Sequence, residues 1–276
     1  MTKTALVLLS ALATLSLSSC LDVVSIDTPD SPALLAVEGQ ITDQPRPATV
    51  SLSLTQAYFN PAAPATVSNA TLVLTDDLGA VDTLRETTPG RYVGRGTVLG
   101  RIGGSYVLRI AALGQSYEAR TEIRRTPPID SVRLVYRDQP PRFDPGLYAM
   151  YYGPELAGVG DYVRIRTWQN DTLANDPGDL RVFSDELVDG NYLGDIRLND
   201  DPLRSGEKVK VELTSITRDY YYYLNEMFTQ INNVGLFATT PANVRTNVRN
   251  VQANPEAVAV GYFAGFTVRQ DSVIVP

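Results

Sequence analysis

Cys20 is the one cysteine of the 276-residue chain, and the residues before it set up a specific chemistry. Leu17-Ser18-Ser19-Cys20 closes an apolar run that begins at Ala5 behind Lys3, the basic, apolar and small-residue layout of a secretory signal. With cysteine at the cleavage point it reads as a lipobox. A lipoprotein signal peptidase cuts before a cysteine whose sulfur already carries a diacylglycerol thioether, so Cys20 becomes the first mature residue. The run of about a dozen apolar residues is too short to span a bilayer, which takes roughly 20. A lone thiol in an exported chain has no disulfide partner of its own, and acylation removes it from oxidation. Two or three acyl chains anchor a protein almost permanently, where one holds it only marginally. Cys20 is therefore expected to be an anchor and not a nucleophile. An ordinary cleaved signal ahead of a chain that happens to begin near a cysteine is the alternative.

The remaining chemistry is restricted by the absence of histidine, which removes Ser-His-Asp and Cys-His catalysis and the commonest imidazole metal ligand. Carboxylates are left. Asp171, Asp176 and Asp179 near Asn170 and Asn175, and Asn199-Asp200-Asp201, offer hard oxygen donors, but neither group matches a calcium loop. Both read as solvated turns, and no metal or cofactor is expected. Asp185, Glu186 and Asp189 supply the residue types of a glycosidase acid–base pair, with nothing in their spacing to fix the required separation. Aromatics offer binding instead. Phe143, Tyr148, Tyr151 and Tyr152, together with the lone Trp168, can form a stacking platform for a glycan or for a partner's apolar patch. The competing reading is that they fold back over their own domain. In the Tyr220–Tyr223 run the helical turn of about 100° per residue prevents all four rings from sharing a face. Tyr221 and Tyr222 are the ones free for a partner surface.

These residues need a scaffold, and the pattern is β. Removal of residues 1–19 leaves more than one typical domain's length. Residues 20–33, with Asp22, Asp27, Pro29, Asp30 and Pro32, form an acylated tether. From residue 34 to 125, period-2 runs alternate with turns rich in Gly, Asp and Pro: Leu35, Val37, Gly39 and Ile41 on one face, then strands near 50–54, 70–75, 81–86, 91–96, 106–111 and 117–123. That predicts an immunoglobulin-like or transthyretin-like sandwich. Arg124-Arg125-Thr126-Pro127-Pro128 marks a boundary, because paired prolines interrupt a ladder. A second β-rich domain, 126–276, follows. Its strands are expected near 132–137, 162–169, 193–198 and 208–216, with residues 138–160 as a long irregular loop and 257–275 closing its sheet. Tyr220, Leu224, Met227, Phe228 and Ile231 recur at helical spacing behind Thr217 and Asp219, which predicts one packed α-helix over about 217–233.

Charge narrows the partners. The chain carries 24 basic and 31 acidic side chains, and Lys3 is the sole charge ahead of Cys20, so the mature form is more acidic still. That disfavours nucleic acid and anionic lipid surfaces, which are bound through clustered Lys and Arg.

Several strings occur here in the order found in one family: Val37-Glu38-Gly39-Gln40-Ile41-Thr42-Asp43, Asp76-Asp77-Leu78-Gly79, Thr88-Pro89-Gly90-Arg91-Tyr92, Pro128-Ile129-Asp130-Ser131-Val132, the tyrosine helix, and Asn247 followed by Val260-Gly261-Tyr262-Phe263. The chain resembles the Bacteroidota lipoproteins of domain of unknown function 4249 over nearly all its mature length. The resemblance implies no activity and transfers no site residue. It suggests, by association with TonB-dependent receptors, an accessory role in substrate capture. The expectation is a non-enzymatic lipoprotein of the outer membrane, on either its surface or its periplasmic face, partnering such a receptor and a glycan or peptide ligand. A carboxylate-dependent glycan hydrolase and a structural envelope or adhesion protein are the alternatives.

Overall fold

A computed structural model describes residues 32–57, 60–233, 239–240, 242–252 and 257–276. Cys20, the signal segment and nearly all of the tether lie outside the described residues. The chain is mainly β, and Ala33–Pro276 forms one compact unit.

The first half contributes β1 (Leu35–Thr42), β2 (Thr49–Leu54), β3 (Thr71–Asp76), β4 (Val81–Thr83), β5 (Arg85–Thr88), β6 (Arg91–Val93), β7 (Ser105–Ala112) and β8 (Gln115–Glu122). The second contributes β9 (Ser131–Gln139), β10 (Phe143–Pro154), β11 (Tyr162–Gln169), β12 (Thr172–Leu173), β13 (Arg181–Ser184), β14 (Tyr192–Arg197), β15 (Lys208–Ser215), helix α1 (Arg218–Ile231), β16 (Val248–Asn250), β17 (Ala259–Phe266) and β18 (Val268–Ile274). Sheets ordered β17-β1-β2-β6-β5 and β16-β8-β7-β3-β4 make the expected sandwich. Its core is the alternating inward set Leu35, Val37, Ile41, Val50, Leu52, Leu72, Leu74, Leu108 and Ile110, with Tyr92, Tyr106 and Phe263. The inward faces are those the period-2 pattern picks out. A second pair of sheets, β14-β10-β9 and β12-β11-β15-β18 with β13 beside β11, encloses Val132, Ala149, Tyr151, Ile165, Leu198, Val209, Val211 and Leu213.

After β8 the chain passes to the second pair of sheets, and the first sandwich is completed from the far end of the sequence. β17 lies parallel to β1, with Leu35 opposite Ala259 and Thr42 opposite Phe266, and β16 pairs with β8. The expectation that 257–275 closes the second sheet therefore holds for β18, which pairs with β15, and is corrected for β17. β17 is buried on both sides. Phe263 enters the first core, while Tyr262, Ala264 and Phe266 lie under α1. At Gly39 an added Cβ would stand 2.8 Å from the Phe263 ring, so the glycine admits that ring.

Residues 138–160 are also corrected. Most of this stretch is a β9–β10 hairpin, whose turn holds Pro140 and Pro141 and whose register shifts between Phe143 and Gly146. Proline is tolerated at such turns and bulges because no ladder donor is needed there. Helix α1 forms as predicted. Thr217 caps it by accepting from Tyr220 N at 3.2 Å, Asp219 sits in its first turn, and Leu224 is buried.

Candidate functional site

The seven aromatics singled out in the sequence fall in three places. Phe143 and Tyr148 meet edge-on at 5.1 Å in a small cluster with Met150 on the outer face of β10, where Tyr152 packs against them. Tyr151, the alternate residue, points the other way into the second core. Phe143, Tyr148 and Tyr151 are 6%, 1% and 3% exposed, so as a stacking platform they are corrected to core. Hairpin pairing forces alternate residues onto opposite faces, and both faces are covered. Tyr152 remains half-buried, with Arg133 over its ring at 4.8 Å and its hydroxyl donating to Asp195 at 3.0 Å. Trp168 stands on the other sheet with Lys210 Nζ 3.9 Å above it, beside a cavity of about 140 Å³ that also includes Asp179, Asp200 and Asp201. Tyr221 packs on Tyr162 at 5.1 Å. Tyr222 is exposed between Arg218 and Arg245, at 5.6 and 4.8 Å from its ring.

The polar clusters behave as turns and braces. Asp176 N bonds the Asp179 carboxylate at 2.9 Å, Asp171 pairs with Lys208 at 3.2 Å, and buried Asn199 accepts from Ala149 N at 2.8 Å. Asp185, 3% exposed, accepts from Gly160 N and Asp161 N at 2.9 and 3.0 Å. Asp189 accepts from Gly158 N at 2.7 Å, and Glu186 is exposed. Two members of the imagined acid–base trio thus pin the loop before β11. Buried Asp161 pairs with Arg125 at 2.7 Å. Beside them Glu155, 8% exposed, has its carboxyl held above the usual carboxylate range, first by burial and then by the charges of Asp161 and Asp185, against a hydrogen bond from Leu156 N. Among the described residues no group of three or more Cys, Asp or Glu side chains could hold a metal ion.

A larger site lies outside the residues whose types suggested chemistry. A groove of about 560 Å³ runs between β7, β8 and β16 on one side and the start of α1 and β17 on the other, with Glu118, Arg120, Asp219, Asn247, Arg249 and Tyr262 in its lining. Its walls are fixed by a chain of bonds. Tyr262 donates to Asp219 at 2.7 Å, Arg245 pairs with Asp219 at 3.0 Å and Glu226 at 2.6 Å, and these contacts hold the Glu226 carboxyl below its ordinary range, the Arg245 bond first. Burial, then Asp219, raises the Tyr262 phenol far above its ordinary range. Asn247 clips β8 to β17, donating to Arg120 O at 2.8 Å and Phe263 O at 2.7 Å while accepting from Phe263 N at 3.0 Å. The signal was in the sequence: Asn247 and Tyr262 both belong to the ordered strings quoted above, but their meeting requires the parallel β1–β17 pair.

No helix among the described residues is long and apolar enough to cross a membrane. No curated protein matches the chain. A solved chain titled "Cytokine receptor complex - Crystal form 1A" aligns at 10% identity over 85% of this chain and 94% of that one, with a TM-score of 0.27, too low to assign a fold. A family model described as domain of unknown function (DUF4249) matches residues 22–272, the span that holds both sandwiches, the groove and its Asn247 clip, and this chain belongs to that family.

Proposed function

We propose that this protein is a non-enzymatic binding module, lipid-anchored through Cys20 to the outer membrane, that serves a TonB-dependent receptor as an accessory in capturing or passing on a substrate. The observation that carries the binding role is the groove of about 560 Å³ with its polar lining. Clefts of about 300–1,000 Å³ suit small ligands, and carboxylates, guanidiniums and an amide suit a glycan or peptide better than a lipid. The anchor and the receptor rest on the Cys20 motif and the family association. A tag on the protein should retain a TonB-dependent receptor from membranes in which both are expressed, and Cys20→Ala should lose lipid labelling and membrane retention. Repeated recovery without the receptor argues against the partnership, and unchanged labelling argues against the anchor.

The alternative, a carboxylate-dependent glycan hydrolase, is favoured by one observation: Glu155 is a buried carboxyl of raised pKa near two others, the environment of a general acid. Against it, Asp161 is paired with Arg125 and Asp185 is taken up by backbone donors. Release of reducing sugar from envelope glycans, lost in Glu155→Gln, would establish it.

A further inference from the structure

The β9–β10 turn and strand β14 border a half-open cavity of about 380 Å³, lined by Arg142, Phe143, Asp195, Ile196 and Arg197. Its floor is the Phe143 ring, 6% exposed. The guanidinium carbons of Arg142 and Arg197 each stand 5.4 Å from that ring's centroid. Arg197 Nη1 donates to the Arg142 backbone carbonyl at 3.3 Å, which ties the Arg197 side chain to the turn that carries Arg142. Asp195, the one carboxylate in the lining, is already engaged by Arg137 and by the Tyr152 hydroxyl. Arg197 shares Asp200 with Arg181, at 3.1 and 3.6 Å. Arg142 has no carboxylate partner among the described residues, only the ring.

Two guanidiniums that line one cavity repel unless a counter-charge comes between them. A guanidinium resting on an aromatic ring has already lost part of its freedom, so gripping an oxyanion costs it less, and Arg142, with no carboxylate partner among the described residues, has N–H donors to spare for one. Because Phe143 is buried, a neutral sugar cannot stack on it, and recognition passes through the guanidinium edges. We propose that this cavity binds an oxyanion-bearing solute, with its carboxylate, sulfate or phosphate group held between Arg142 and Arg197. The volume leaves room for the rest of such a solute, and the site is separate from the junctional groove.

The full chain is to be titrated at low ionic strength with sodium glucuronate, inorganic sulfate and glucose. Saturable binding of the anions and none of glucose is expected. Arg142→Gln should weaken anion binding about tenfold, the loss of one charge-assisted contact. Arg142→Lys should fall between, keeping the charge without the fork, and Arg133→Gln, outside the lining, should bind as the parent does. Tighter glucuronate than sulfate identifies an organic acid as the source, and the reverse an inorganic ion. Glucose binding as well as glucuronate, no saturable anion binding, or anion affinity unchanged in both Arg142 variants would overturn the site. Should Arg142→Gln lose its melting transition, Arg142→Lys carries the comparison.

Discussion

The Tyr262 hydroxyl donates to Asp219 at 2.7 Å, and this bond ties β17, the strand shared by the first core and the helix, to the first turn of α1. Arg245 holds the same carboxylate at 3.0 Å. Tyr262→Phe keeps the buried ring and removes only the donor to a charged acceptor. Because Asp219 is half exposed and keeps Arg245, the expected loss is about 1–2 kcal/mol, a few degrees of Tm in a chain of this size. A Tm equal to the parent's would mean that water replaces the phenol at no cost.

Alkaline pH should weaken the fold. Burial is the main cause that holds the Tyr262 phenol well above its ordinary range and pushes Tyr151 and Tyr223 up to about 12, while the same phenols in an unfolded chain titrate near 10. The folded state therefore keeps protons that the unfolded state sheds. Their contribution is complete below pH ~10 and is lost as pH rises toward the folded values. Urea midpoints should be level with respect to these groups up to about pH 10 and fall beyond it, with a shallower fall in Tyr262→Phe.

Glu155 titrates with the opposite practical consequence at neutral pH. Its folded pKa is raised, chiefly by burial, so its contribution is favourable below the unfolded carboxylate value and is lost as pH climbs through the folded one. Glu155→Gln keeps an acceptor for the 3.1 Å bond from Leu156 N and has no charge to bury. The variant should be more stable than the parent at pH 7 and indistinguishable from it near pH 4, by denaturant midpoints at both. Equal stability at pH 7 would place the Glu155 carboxylate in better solvation than its 8% exposure implies.

Local signals were legible and long-range pairings were not. The alternation of Leu35, Val37 and Ile41 and the Thr217 cap with Leu224 read correctly, because period and capping are properties of neighbouring residues. The parallel partner of β1 lies more than two hundred residues away in the register Leu35–Ala259, and nothing within either segment names the other. The prolines at 140 and 141 pointed to a loop when they make a hairpin turn, since proline marks the break in a ladder without telling how much ladder flanks it. Phe143, Tyr148 and Tyr151 looked available for the same reason. The groove is not legible in the sequence because its residues converge only once β16 and β17 have returned to the first sandwich.

That return depends on Gly261. Its φ of +89° lies in the left-handed region, and an added Cβ would lie 2.1 Å from the Val37 carbonyl oxygen, which is backbone that cannot move without breaking the β1–β17 ladder. Gly261→Ala combines an unfavourable φ with that clash, each costing about 1 kcal/mol or more. Loss of cooperative unfolding, or a fall of more than about 2 kcal/mol, is expected by urea denaturation. Gly79→Ala has a comparable φ of +87° and open space around it, so it should show the backbone cost alone. Equal losses in the two would remove the clash from the account.

Arg166, Glu212 and Gln270 form a row across β11, β15 and β18, directly opposite one another in both registers. Glu212 is 3% exposed and is held by Arg166 Nε at 2.9 Å and Gln270 Nε2 at 2.6 Å. A buried ion pair is a poor source of net stability, because desolvation offsets the attraction, yet removing one partner strands the other. Arg166→Met should therefore cost about 3–5 kcal/mol by leaving the Glu212 carboxylate buried with an amide alone. Glu212→Gln should cost less, since Arg166 is partly exposed and can turn its guanidinium to water. The double variant Arg166→Met with Glu212→Leu should recover most of the single loss, because apolar side chains of similar volume fill the row without an unpaired charge. Urea unfolding of these variants together with the single Glu212→Leu closes the cycle and gives the coupling. If the double variant is as unstable as the sum of its parts, the pair contributes through packing against the neighbouring Trp168, whose ring lies 5.3 Å from the Arg166 guanidinium, and not through charge.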